Sequence, residues 1–168
     1  MSDIPLAVGD SFDHIVHERQ TQVLRTAYRI VGNWADAEDV AQEAFMRLHR
    51  HGLRFSGSAA LSGWLYRVTV NLCLDRVRSR RQSDELPELC SQELSAEAAV
   101  IRDEQKRNLM AALATLPAKE RAAVVLREIE GLSTAEVAAI LGSAEGTVRS
   151  QVAKAVTRLR GILTQEEP

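Results

Sequence analysis

Alternating apolar and polar residues, the mark of a half-buried strand, are almost missing from this chain, which argues against a sheet. Cysteine is scarce. Cys73 and Cys90 are the only two in 168 residues and lack C-x-x-C spacing, so neither a disulfide scaffold nor a cysteine metal site is indicated. Aromatic residues make up 4% of the chain, and its cores must be filled mainly by aliphatic side chains. No apolar run approaches the ~20 residues of a membrane span, so no direct membrane insertion is expected. No basic start leads into an apolar core, so no signal peptide is read. Free thiols and the missing leader together predict a cytoplasmic protein. A net charge of −2 supplies no overall attraction to nucleic acid.

Catalytic spacing is thin as well. His14 and His17 form an H-x-x-H pair beside Asp13, and His49 and His51 sit at another helix end. No third ligand or base is placed by either pair, so no metal, no cofactor and no enzyme activity is expected.

What is present is helical periodicity. Apolar positions predict helices over 12–31, from about 35 to 51, over 60–81, over 98–116, and from Pro117 to Glu130. Charge divides the chain further. Residues 1–81 carry 11 basic and 9 acidic side chains, residues 82–104 carry 1 and 7, and residues 105–168 carry 9 and 7. The expected fold is all-α. Two small helical domains, 1–81 and 98–168, are joined by a flexible acidic linker over 82–97 that contains Pro87.

The end of the chain carries the sharpest pattern. Ser133-Thr134-Ala135-Glu136 has the spacing of a capping box, in which serine accepts from the glutamate amide and the glutamate reaches back. Gly142 ends the short helix that follows, since glycine turns left-handed at least cost. Ser143 is expected to cap the next helix. On that helix Val148, Val152, Ala155, Val156, Leu159 and Ile162 share one face. Thr147, Ser150, Gln151, Lys154 and Arg158 share the other. Such a helix-turn-helix suits the major groove, where hydroxyls, amides and cations meet base edges and phosphates. A solvated amphipathic helix has the same pattern on the helix alone.

Two further surfaces stand out in the first domain. Asp36, Asp39, Gln42, Glu43 and Met46 lie opposite the apolar face of the second helix. They suit either a capped surface helix, whose positive N-terminus favours acids, or a docking face for a basic partner. The third helix ends in Arg76, Arg78, Arg80 and Arg81, with Trp64 and Tyr66 near its start. Trp64 shares a face with Leu61, Val68 and Leu72 and is expected in the core; Tyr66 faces elsewhere. Arginines beside an aromatic ring can hold single-stranded nucleic acid, and a basic helix end favoured by the dipole has the same composition.

Taken together these blocks resemble a known family. Tyr28-Arg29-Ile30-Val31-Gly32-Asn33, the run Asp36 to Phe45, and Gly63-Trp64-Leu65-Tyr66-Arg67-Val68 with Asn71, Asp75 and Arg76 resemble the second region of bacterial sigma factors. Leu116-Pro117, Val124 to Arg127, Glu130 to Ser133, Glu136-Val137-Ala138 and Gly146 to Ser150 resemble the fourth. The short length is similar to the extracytoplasmic-function (ECF) group of the sigma-70 family.

The resemblance implies a non-enzymatic initiation factor that binds core RNA polymerase and directs it to promoter DNA. Asp36, Asp39, Gln42, Glu43 and Met46 would dock on polymerase. Tyr66, Asn71, Arg76, Arg78, Arg80 and Arg81, with the loop before their helix, would hold the melted −10 element. Glu145, Gly146, Thr147, Arg149, Ser150, Gln151, Lys154 and Arg158 would read the −35 element. Members of the family often carry more arginine where this chain has Gln151 and Lys154, which leaves the promoter sequence open. No sensing extension is seen, so an external anti-sigma factor is expected to hold the chain inactive. The alternative is a helix-turn-helix regulator that acts on duplex DNA without polymerase.

Overall fold

The computed structural model describes residues 12–52, 54–83 and 97–165. Among the described residues seven helices run in the order α1 (Phe12–Val31), α2 (Trp34–His51), α3 (Ser58–Ser83), α4 (Glu97–Ala114), α5 (Ala118–Val124), α6 (Thr134–Leu141) and α7 (Glu145–Leu163). A single π-helical turn, Val125–Ile129, continues α5. No strand occurs among the described residues. The expected linker and Cys90 lie outside the described residues, apart from the end of α3 and Glu97, the first residue of α4.

The first three helices form a bundle. Gly32 at φ 88° closes α1, its amide donating to the Tyr28 carbonyl at 2.8 Å. Asn33 then caps α2, accepting from the Asp36 amide at 2.9 Å. Tyr28 and Trp34 stack across this turn with ring centroids 3.9 Å apart. One apolar cluster lies wholly within this half and includes Ile15, Phe45, Leu48, Phe55, Leu61 and Leu65. Burying each such side chain contributes roughly 1.5–3 kcal/mol.

A second cluster spans both halves of the chain. Ala27, Ile30 and Val31 of α1 and Val70, Cys73 and Val77 of α3 pack with Leu113, Leu116, Val124, Val125 and Leu126. Val137, Val148 and Ala155 complete it. Burial pushes the Cys73 thiol up to about 12, so it behaves as a small core side chain and not as a nucleophile.

Polar groups line the same seam. Arg121 is 6% exposed and has no carboxylate partner among the described residues. Its guanidinium donates to the Ile30 carbonyl at 2.5 Å and to the Ala114 and Leu116 carbonyls at 3.1 and 3.0 Å. It therefore sits at the negative ends of α1 and α4, where a cation is favoured. Burial, with Arg81 and Arg80 nearby, lowers its pKa. Glu130 meets α1 and α3 from the other side. It accepts from the Thr26 hydroxyl at 2.7 Å, from Arg29 at 3.2 Å and from the Tyr66 hydroxyl at 3.1 Å.

Four boundaries differ from expectation, among them the end of α4, which stops at Ala114 and not at Leu116. Helix α3 starts at Ser58 and runs to Ser83, two residues past each expected end. The segment after Pro117 is not one α-helix: the Glu130 amide bonds the Val125 carbonyl, an i→i−5 spacing that widens the last turn. Ser143 does not cap α7. Its amide bonds the Ala138 carbonyl at 3.0 Å behind left-handed Gly142, at φ 62°. That is the Schellman closure of α6, so Ser143 belongs to the helix before it. Ala144 stands at the N-cap of α7 with no side-chain hydrogen bond.

Candidate functional site

Three surfaces collect the residues singled out from the sequence. The first joins α2 to α3. Asp36 pairs with Arg76 at 3.3 Å and with Arg80, and Asp39 pairs with Arg76 at 2.5 Å. Arg80 also donates to the Val31 carbonyl at 3.0 Å. The acids expected to dock a partner are thus held by arginines expected to hold nucleic acid. The outward row that remains is Asp39, Gln42 and Met46, with Glu43 beside it tied to Arg47 at 2.9 Å. Met46 is 52% exposed, an unusual position for a large apolar side chain.

The second surface comprises α3 and, at its start, the turn after α2. Asn71 and Arg81 are exposed on α3, and Arg78 pairs with neighbouring Asp75. At the other end of α3, His51 stacks near Phe55 with centroids 5.0 Å apart and lies 5.0 Å from Trp64. Phe55 closes the triangle 5.8 Å from Trp64. Trp64 packs on the first cluster as expected. Sequence reasoning missed this ring group because its members come from a helix end, a loop and a second helix, which no single periodicity joins.

Tyr66 is not on that surface. It is half-buried, packed on the shared cluster, and its hydroxyl accepts from Gln22 and donates to Glu130. Burial and the Glu130 carboxylate raise its pKa. Next to it Arg67 donates to the Ala139 carbonyl of α6 at 3.4 Å.

The third surface is the outer face of α7. Val148 and Ala155 are buried, whereas Thr147, Arg149, Ser150, Lys154 and Arg158 are exposed. An open groove of about 520 Å³ runs between this face and the start of α5. Gly146, Thr147, Ser150, Gln151 and Lys154 line one side, with Pro117, Lys119 and Glu120 on the other. Arg149 pairs with Glu145 at 3.1 Å, and Arg158 with Glu120 at 2.9 Å. The Gln151 amide oxygen is buried without a hydrogen-bond partner, which disfavours that rotamer in isolation. Lys119 and Glu120 escaped the sequence reading because only folding sets α5 against α7. In the capping box, Ser133 accepts from the Glu136 amide at 3.1 Å and its own amide donates to the glutamate at 2.7 Å. These bonds lower the Glu136 pKa. No cluster of metal-ligating side chains occurs among the described residues.

Known proteins match the chain in two blocks. Residues 15–83 match the Sigma-70 region 2 family and residues 106–159 the Sigma-70, region 4 family. The ECF RNA polymerase sigma factor SigE of Mycolicibacterium smegmatis is 40% identical, over 95% of this chain and 66% of SigE. The ECF RNA polymerase sigma factor SigM of Mycobacterium tuberculosis is 36% identical, over 91% of this chain and 77% of SigM. Among solved structures, the sigma factor RpoE of Bartonella quintana, crystallised with the anti-sigma factor NepR, shares the fold. Its TM-score is 0.71 at 24% identity, over 93% of this chain and 98% of RpoE.

Proposed function

The chain belongs to the extracytoplasmic-function group of RNA polymerase sigma factors, and from that membership we propose how its surfaces divide the work of initiation. The row Asp39, Gln42, Glu43 and Met46 on α2 docks on core polymerase. Carboxylates steer a basic partner, and the exposed Met46 supplies an adaptable apolar contact. Asn71, Arg78, Arg81 and the turn before α3 hold the melted −10 strand, where stacking and cations suit unpaired bases. The α7 face from Glu145 to Arg158 enters the major groove at the −35 element. The observation that carries this reading is the coincidence of each matched block with its own exposed polar surface, in the same chain order.

Regulation is proposed to come from a separate protein. An anti-sigma factor would cover the α2 and α7 faces together, as the pairing of RpoE with NepR suggests.

Purified chain with core polymerase should give run-off transcripts from a defined start. Absence of any directed start across salt concentrations would overturn the assignment. Tight binding of duplex DNA without polymerase would favour a stand-alone regulator instead. The double substitution Asp39→Arg with Gln42→Ala should abolish capture by core polymerase and leave the chain folded, lowering the thermal midpoint only slightly, because both side chains are exposed and the Asp39–Arg76 pair lost is a surface one.

A further inference from the structure

The groove beside α7 has two walls, and they come from different helices. Thr147, Ser150 and Lys154 stand on the α7 wall, Lys119 and Glu120 on the α5 wall, around an open volume of about 520 Å³. Packing fixes one wall relative to the other. Val148 and Ala155 of α7 share a fully buried cluster with Ala122 and Val125 of the α5 segment.

Ion pairing sorts the cations of this region into two kinds. Arg149 is tied to Glu145 at 3.1 Å and Arg158 to Glu120 at 2.9 Å. Lys119 and Lys154 are exposed and form no ion pair among the described residues. One stands on each wall, and Gln151, which also lines the groove, is neutral. Glu120 is the one acid among the lining residues. Its pairing with Arg158 offsets the charge that would repel an anion there.

Two ammonium groups and two hydroxyls along an open channel suit a phosphodiester backbone. The channel continues the α7 face, so the phosphates that reach it belong to the duplex that α7 meets. In a helix-turn-helix the first helix crosses that backbone. Here α6 lies against α3, its Ala139 carbonyl receiving Arg67, and α5 borders the groove in its place.

We propose that the groove receives one backbone strand of duplex DNA, with Lys119 as a phosphate contact from outside the helix-turn-helix. This rests on reading α7 as the −35 face. It adds a residue that positions the duplex without reading its bases.

The test uses the full chain to select its tightest binders from a pool of short random duplexes. Affinity for a selected duplex and for the unselected pool is then measured between about 50 and 200 mM salt. Loss of one phosphate contact lowers the slope of log affinity against log salt by about 0.9. Lys119→Gln should show that drop on both DNAs, so that salt weakens it about 3.5-fold less than the unaltered chain over this range. Its order of preference among selected duplexes should stay the same. Lys119→Arg should keep the full slope. So should Lys106→Gln, the same change of charge at an exposed position on α4. Lys119→Gln with Lys154→Gln should lower the slope by about 1.8. An unchanged slope in Lys119→Gln, or an equal drop in Lys106→Gln, would overturn the backbone site. A changed sequence preference in Lys119→Gln would overturn the positioning role and make Lys119 a reader of bases. Enrichment of no duplex at all would remove the α7 reading, and the proposal with it.

Discussion

The two apolar clusters make an instructive pair. The one inside the first three helices is sealed by rings and long aliphatics, Phe45, Phe55, Leu48, Leu61 and Leu65, with Trp64 against its edge. The one across the seam mixes small side chains, Ala27, Val31, Val70, Val77 and Val125, with fully buried Ile30, Leu113, Leu116 and Leu126. Its margin carries Arg121, Glu130 and Tyr66 in hydrogen bonds that cross between halves. Large apolar side chains leave cavities when separated, and cavities are costly. The chain thus has one cluster confined to its first bundle and one that joins its two halves behind a polar margin.

The largest break in this contrast should come from the cluster inside the first bundle. Leu48 is fully buried, and Leu48→Ala should cost about 2–5 kcal/mol. The loss should show as a lower midpoint in urea, and the slope should stay the same if the whole chain still unfolds together. A change below about 1 kcal/mol would mean the cluster is less tightly packed than its burial implies.

Next comes Arg121, the seam's buried cation. Arg121→Ala removes the cap on the Ile30, Ala114 and Leu116 carbonyls. Buried acceptors left unpaired cost about 1–3 kcal/mol each, and water entering the vacated space will recover part of that. The loss should therefore be smaller than for Leu48→Ala. Hydrogen exchange should localise it, with amides at the end of α1 and the start of α5 deprotected first. Uniform deprotection would show that the seam and the first bundle unfold as one unit.

How much of this was legible follows the same division. Local chemistry was readable: the bounds of α1, the glycine turn at Gly142 and the reciprocal bonds of Ser133 and Glu136 all stand as their residues indicate. What failed was decided by neighbours distant in sequence. The π-turn begins inside an unbroken buried apolar run from Ala122 to Leu126 and continues to Ile129, and nothing local distinguishes its wider hydrogen bonding. Tyr66 reads as outward because its helical phase is polar; only the partner half supplies Glu130. Asp36 and Asp39 read as an open acidic face, because α3 is needed to bring Arg76 and Arg80 across. Ser143 reads as a cap until the closure of α6 claims its amide.

The smallest effect belongs to the capping box, which touches neither interface and so serves as the control. Ser133→Ala removes the acceptor for the Glu136 amide and should cost about 0.5–2 kcal/mol. Its pH dependence has a definite sign. The Ser133 amide and side chain hold Glu136 below its ordinary value in the folded chain, so the folded state binds this proton less readily than the unfolded one. The contribution is fully present above the ordinary glutamate value, near 4.3, and is lost as pH falls through the lower folded value. Stability measured from pH 6 downward should therefore fall more steeply for the unaltered chain than for Glu136→Gln, and the two curves should converge at the acid end. Parallel curves would mean that Glu136 titrates alike in both states and that its bond to the Ser133 amide adds nothing. The distance between spin labels on cysteines introduced at exposed His17 and Thr157 should not move in either variant, because α6 meets α3 through its opposite end, at Ala139. A shift there would show that the start of α6 and the packing between the two halves are coupled.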